Sequence, residues 1–225
     1  MTDTAQPSPA SRLTTTRASY DTVAADYERL LRGELANMPF DRAMLGVFAE
    51  RVLAGGGGPV GDLGCGPGRL TGHLASLGLD VFGIDLSPEM VAVARRVCPG
   101  VRFEVGSMTA LGLEDESLAG ALAWYSTVHT PPEELPVAFE EFYRVLAPGG
   151  QLLMAFKVGD GSTRLTHAYG HDLDLDVYRF PPGLVSELLV EAGFVEVARL
   201  VREAEGPYEK TPQGYLLARR PGPSA

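Results

Sequence analysis

The stretch PVGDLGCGPGRL, residues 59–70, packs glycines and a proline around Cys65 and sets Asp62 two residues ahead of Gly64. Glycine is costly to order, so such a cluster marks either a tight strand-to-helix turn or a cradle where a ligand meets bare backbone. A dinucleotide fingerprint would read G-x-G-x-x-G. Gly64 and Gly66 fit it, but Arg69 stands at the third glycine position and Gly68 falls one residue early. The missing close-packing glycine weighs against a pyrophosphate cofactor. Asp62 would repel a phosphate and suit an amino group.

A second acid, Asp85 in GIDLSPEM, follows Asp62 by 23 residues. An acid at about that interval, ending the next strand, accepts hydrogen bonds from ribose hydroxyls. A nucleoside with a cationic amine and no phosphate describes S-adenosyl-L-methionine. His129, in WYSTVHTPPEEL, sits just past another strand end and is the first choice for a general base, with Tyr125 and His171 beside it. His167 and His171 share THAYGHDLDLDVYRF with Asp172, Asp174 and Asp176. His171, Leu173 and Leu175 alternate with those acids, which reads as an edge strand with a wet face rather than a metal site.

These residues need a frame to bring them together. Tyr20, Val23, Ala24, Tyr27, Leu30 and Leu31 recur at helical spacing after Ser19, a candidate cap. Phe40, Met44, Val47, Phe48 and Val52 suggest one face of a second helix, ended by AGGGGP. From residue 59 short apolar runs alternate with helical stretches: strands at 59–65, 79–85, 101–106, 117–126 and 151–158, and helices at 69–78, 87–97 and 132–150. That alternation predicts a parallel sheet covered on both faces. The chain ends differently, with a helix at 181–194 and two strands, VEVARLVRE and GYLLARR, paired antiparallel at the sheet edge. Residues 159–180 show no clear element.

Composition narrows the classes further. The chain has 225 residues, 45% apolar, enough for one domain with a proper core. Its net charge of −10 disfavours nucleic acid and anionic membrane as partners. Two cysteines in apolar contexts form no disulfide framework, which suits the cytoplasm. No stretch reaches the roughly 20 apolar residues of a membrane helix. Residues 1–18 read as a disordered leader, 19–220 as one domain and 221–225 as a flexible tail. Monomer and homodimer both remain open.

VGDLGCGPGRLTGHLA, VFGIDLSPEMVAVAR, FYRVLAPGGQLLMAF and the leading YDTVAADYE together resemble the class I S-adenosylmethionine-dependent methyltransferases, closest to the small-molecule, ubiquinone-biosynthesis-type branch. The resemblance runs from about Tyr20 to Arg219. It implies a Rossmann-like three-layer sandwich, with a seven-stranded, mostly parallel sheet and an antiparallel last strand. An N-terminal helical cap, 19–54, would cover the site. Gly64, Cys65 and Gly66 would pass their backbone against the methionine part of the cofactor, and Asp62 would hold its amino group. Asp85 would take the ribose, and Leu86 and Met90 would flank adenine. Ser107 and Met108 stand where the family often carries an aspartate, and would meet the adenine edge. Trp124 and Tyr125 would close the cofactor's other side, and Tyr20 or Tyr27 would reach its carboxylate. Residues 159–180 would form an acceptor-side insertion, with Trp124, His167, Tyr169, His171 and Tyr178 around a small-molecule acceptor. The implied reaction is in-line methyl transfer to oxygen, nitrogen or carbon. A non-catalytic S-adenosylmethionine-binding protein and a nicotinamide oxidoreductase are the alternatives.

Overall fold

The computed structural model describes residues 8–205 and 209–222. Two helices, α1 (Pro9–Leu31) and α2 (Pro39–Ala54), precede an alternating run of β1 (Pro59–Leu63), α3 (Arg69–Ser76), β2 (Asp80–Asp85), α4 (Pro88–Val97) and β3 (Phe103–Val105). Then come β4 (Leu118–Trp124), α5 (Leu135–Val145), β5 (Leu146–Lys157), β6 (Ser162–Ala168), β7 (His171–Tyr178), α6 (Pro182–Glu191), β8 (Val195–Arg202) and β9 (Gln213–Arg219). The main sheet runs β3-β2-β1-β4-β5-β9-β8. Strands β1 to β5 pair in parallel, while β9 lies between β5 and β8 and runs antiparallel to both. The two terminal strands thus pair as expected, but β9 enters the sheet and leaves β8 at the edge.

Alternation along β5 builds both outer layers. Leu152, Met154 and Phe156 meet α5 and α6, whereas Leu153 and Ala155 meet α2 and α3. Phe139 and Phe142 of α5 are fully buried. Truncating either to alanine would cost about 3–5 kcal/mol. On α2 the predicted stripe is rotated. Phe40 and Val47 are 43% and 44% exposed, and Asp41, Leu45, Phe48, Ala49 and Val52 face inward. Asp41 turns the helix that way because the Tyr215 hydroxyl donates to its carboxylate at 2.5 Å.

Three further expectations need correction. Residues 9–18 are helical rather than a leader: Ser8 accepts from the Ser11 N–H, Pro9 opens the helix, and Arg12 forms an ion pair with Glu134 beyond β4. Ser19 lies buried inside α1, not at its cap. Residues 1–7 and 223–225 fall outside the described set. Within 159–180 lies a hairpin, β6–β7, forming its own two-stranded sheet. Its tip is the pair Tyr169–Gly170, both at positive φ, 56° and 84°. That conformation suits a two-residue turn, but it is normally signalled by Asn-Gly rather than by an aromatic residue. Leu173 and Leu175 pack with Val23 and Ala24 of α1 and Met90 and Val93 of α4, so the hairpin and α1 cover one end of the sheet together.

Candidate functional site

The glycine loop follows β1 at the carboxyl edge of the parallel strands, and β2 holds it there. Ile84 carbonyl accepts from both Gly64 and Cys65 N–H groups, at 2.7 and 3.0 Å. Gly64 has φ +84°, and a Cβ there would lie 2.3 Å from the Ser126 Cβ. Gly66 has φ +52° and faces open space. One residue is glycine because a neighbouring strand end presses on it; the other leaves room above the backbone. Asp85 accepts from Gly66 N–H at 2.8 Å and from Ser87 N–H at 2.9 Å. Burial raises its carboxyl pKa, and those two donors oppose the rise. Asp62 is almost fully buried and accepts from Thr71 Oγ1 at 2.6 Å. Burial first, with the nearby Asp85 charge, pushes its pKa up to about 7 against the Thr71 bond. Burial also raises the Cys65 thiol, so Cys65 stays protonated and unreactive.

Helix α1 is fastened across this edge at several points. Asp21 accepts from Ser87 Oγ at 2.6 Å and from Glu89 N–H at 3.3 Å, at the start of α4. Asp26 meets His171 Nε2 at 2.9 Å. The Tyr20 hydroxyl lies 2.8 Å from His129 Nε2, and His129 Nδ1 lies 2.7 Å from the Asp176 carbonyl of β7. A carbonyl only accepts, so Nδ1 carries the proton and Nε2 accepts from Tyr20. Burial lowers the His129 pKa, as does the Lys157 charge, and keeps the ring neutral near pH 7. Burial raises the Tyr20 pKa, so its hydroxyl keeps its proton.

The structure sorts the other expected residues. Tyr27 and Tyr169 meet at 4.8 Å with their rings tilted by 55°, between α1 and the hairpin tip and next to Tyr20. His129 thus joins the aromatic group, but His171 does not: its ring is spent on Asp26, as a fastener of α1. His167 stays at the rim, paired with Asp172, with side chains 62% and 98% exposed. Trp124 is a core residue against Tyr215 and Tyr125, and Tyr178 reaches the same loop through its N–H, which donates to Val128 carbonyl. Leu86 is half-buried, and Met90 is buried behind it against α1. Ser107 borders a small cavity with Ile84, Val105 and Leu111, Met108 packs against the core beside Ile84 and Leu111, and Ser107 Oγ is 2.8 Å from Thr109 Oγ1. Among the described residues no cluster of three or more acidic, His or Cys side chains could hold a metal.

Past β4 the chain shows a different signal. Tyr125 adopts φ +54°, a strained value for a bulky residue. Around it Trp124 Nε1, Ser126 Oγ and Thr127 Oγ1 are buried without a hydrogen-bond partner. Buried polar groups are rarely left so, and three in four residues just past β4 fit a ligand bearing polar groups. Of these, Thr127 had no spacing or motif to mark it in the sequence, and neither did Thr71, Asp21 or Asp26.

A methyltransferase-domain family model matches residues 60–150, from β1 through the start of β5. Over those residues the chain is similar to methyltransferase domains. The chain is 35% identical over 122 residues to the malonyl-[acyl-carrier protein] O-methyltransferase of Erwinia billingiae, covering 54% of this chain and 48% of that protein. It is 33% identical over 139 residues to the demethylmenaquinone methyltransferase of Chlorobaculum tepidum, covering 60% and 56%. The chain thus spans about half the length of these relatives. A solved structure of the Burkholderia thailandensis 1,6-didemethyltoxoflavin-N1-methyltransferase, with bound 1,6-didemethyltoxoflavin and S-adenosylhomocysteine, shares the fold. Its TM-score is 0.71 at 21% identity, covering 97% of this chain and 93% of that one. These relatives give the nicotinamide reading no support. Among the described residues, no helix is long and apolar enough to cross a membrane.

Proposed function

We propose that this chain transfers a methyl group from S-adenosyl-L-methionine to a small-molecule acceptor beneath α1 and the β6–β7 hairpin. The observation that carries this reading is the half-buried Tyr20–His129 pair, held by α1 and β7 at the same carboxyl edge as the glycine loop. Bound S-adenosyl-L-methionine supplies a methyl group activated by its sulfonium. The residues on this edge fit that molecule. Asp85 presents a carboxylate to the ribose, Asp62 to the amino group, and Ser107, Met108 and Leu86 border the adenine. Trp124, Ser126 and Thr127 offer the polar atoms that lack partners within the protein.

The protein's main contribution is alignment and exclusion of water by α1, worth about 7–11 kcal/mol for well-placed reactants. Where the acceptor must lose a proton, Tyr20 receives it as its own hydroxyl proton passes to His129 Nε2. The Asp176 carbonyl, bonded to Nδ1, steadies the charged ring. A base so placed contributes about 10²–10⁴-fold. The two unpaired cysteines suit a reducing compartment, and we assign the chain to the cytoplasm. Incubating the protein with methyl-labelled S-adenosyl-L-methionine and a metabolite extract should yield a labelled product by mass spectrometry. His129→Ala should cut that yield about 10²–10⁴-fold with S-adenosylhomocysteine affinity unchanged. Cofactor binding with no labelled product from any extract would return the protein to a non-catalytic binder.

A further inference from the structure

Lys157 ends β5 at the same carboxyl edge as the loop that carries His129. Leu153 and Ala155 face the α2 side of the sheet, and strand alternation sets Lys157 on that side too, beside Gln213 of β9. Its side chain is half-buried, and among the described residues no carboxylate forms an ion pair with its ammonium. Glu209, whose charge reaches it, is already held by Arg202 through two 2.6 Å bonds. Asp41 is taken by the Tyr215 hydroxyl and by Arg202 at 3.6 Å. On its other side the Lys157 charge reaches the His129 ring. A cation drawn out of water without a counter-ion is costly, and proteins seldom leave one so. The chain writes nearly all its cations as arginine, and Lys157 is one of only two lysines.

The hairpin acids do not compete for the role of acceptor partner. Arg164 takes Asp174 and Asp176, and Asp172 pairs with His167 at the rim. With Asp62 and Asp85 assigned to the cofactor, the charge left uncompensated on the His129 side of this edge is therefore positive. We infer that Lys157 is the counter-ion for the acceptor: the molecule methylated here carries an acidic oxygen group, a carboxylate or an acidic hydroxyl, seated on Lys157 beside His129. This rests on the methyltransferase reading of the site and narrows its substrate to anionic small molecules.

With two lysines in the chain, reductive methylation with ¹³C-formaldehyde gives a lysine spectrum simple enough to read directly by NMR. Lys210→Arg assigns the signals. In protein loaded with S-adenosylhomocysteine, the Lys157 signal should titrate below the ordinary lysine value. Benzoate or 4-nitrophenolate should shift the Lys157 signal and raise its midpoint, and neutral benzamide should not. The stronger of the two anions tells a carboxylate acceptor from a hydroxyl one. Lys157→Met should lose about tenfold in affinity for that anion while S-adenosylhomocysteine binds as before. A Lys157 signal that ignores both anions in the loaded protein overturns the inference alone. Failure of S-adenosylhomocysteine to bind at all overturns the methyltransferase reading, and this inference with it.

Discussion

Replacing Asp62 by asparagine removes a buried carboxylate whose protonation is coupled to the site. In the unfolded chain this carboxyl has its ordinary pKa of 3.8; in the folded protein burial moves it to about 7. Ionisation therefore favours the unfolded chain. Stability present below pH 3.8 is lost as pH climbs towards 7. A shift of about three pH units, at about 1.4 kcal/mol per unit, makes the full loss about 4 kcal/mol. Asparagine keeps an oxygen for Thr71 and does not titrate. The ligand-free Asp62→Asn protein should hold its melting temperature between pH 5 and pH 8, where the parent's falls. The cofactor reverses the preference, because an ammonium group beside Asp62 stabilises its charged form. Calorimetric affinity for S-adenosylhomocysteine should then rise about tenfold per pH unit from pH 5 to near 7 and level off above. In Asp62→Asn it should be weaker and lack that slope. Parent affinity that is flat over this range, or an equal slope in the variant, would refute the role of Asp62.

Asp85→Ala should weaken S-adenosylmethionine and S-adenosylhomocysteine alike, by about 1.5–3 kcal/mol, read by calorimetry; equal affinity in both proteins would remove the ribose role. Gly66→Ala places its Cβ in open space, so the protein should fold with about 1–2 kcal/mol of backbone strain yet lose cofactor affinity. Gly64→Ala meets Ser126 as well, so its melting temperature should drop further than that of Gly66→Ala; the reverse order would contradict the packing of the two loops. Asp21→Ala frees α1 from the start of α4, and should speed hydrogen exchange across 9–31 and weaken cofactor binding. Unchanged exchange there would show that the helix is held elsewhere.

Sequence alone determined the alternation of strands and helices, the glycine loop and the two acids at successive strand ends. Those features are local: a strand end, a turn and a helix start lie within a dozen residues, and the 23-residue interval between Asp62 and Asp85 follows from one strand–helix–strand passage. The hairpin escaped because its tip puts Tyr169 in a conformation that tyrosine rarely signals, and Tyr27 packing against it supplies the reason. Helix α1 extends ten residues before the predicted start because Arg12 finds Glu134, more than a hundred residues away. The histidines show the divide most plainly. In the sequence His129 is the first choice for a base and His171 an alternative, each close to acids or aromatics. Only the folded chain brings Tyr20 to one and Asp26 to the other, giving the first a half-buried neutral ring and the second a fastening bond. A side chain's chemistry depends on what surrounds it within a few ångströms, and those neighbours come from distant segments whose meeting is settled by packing.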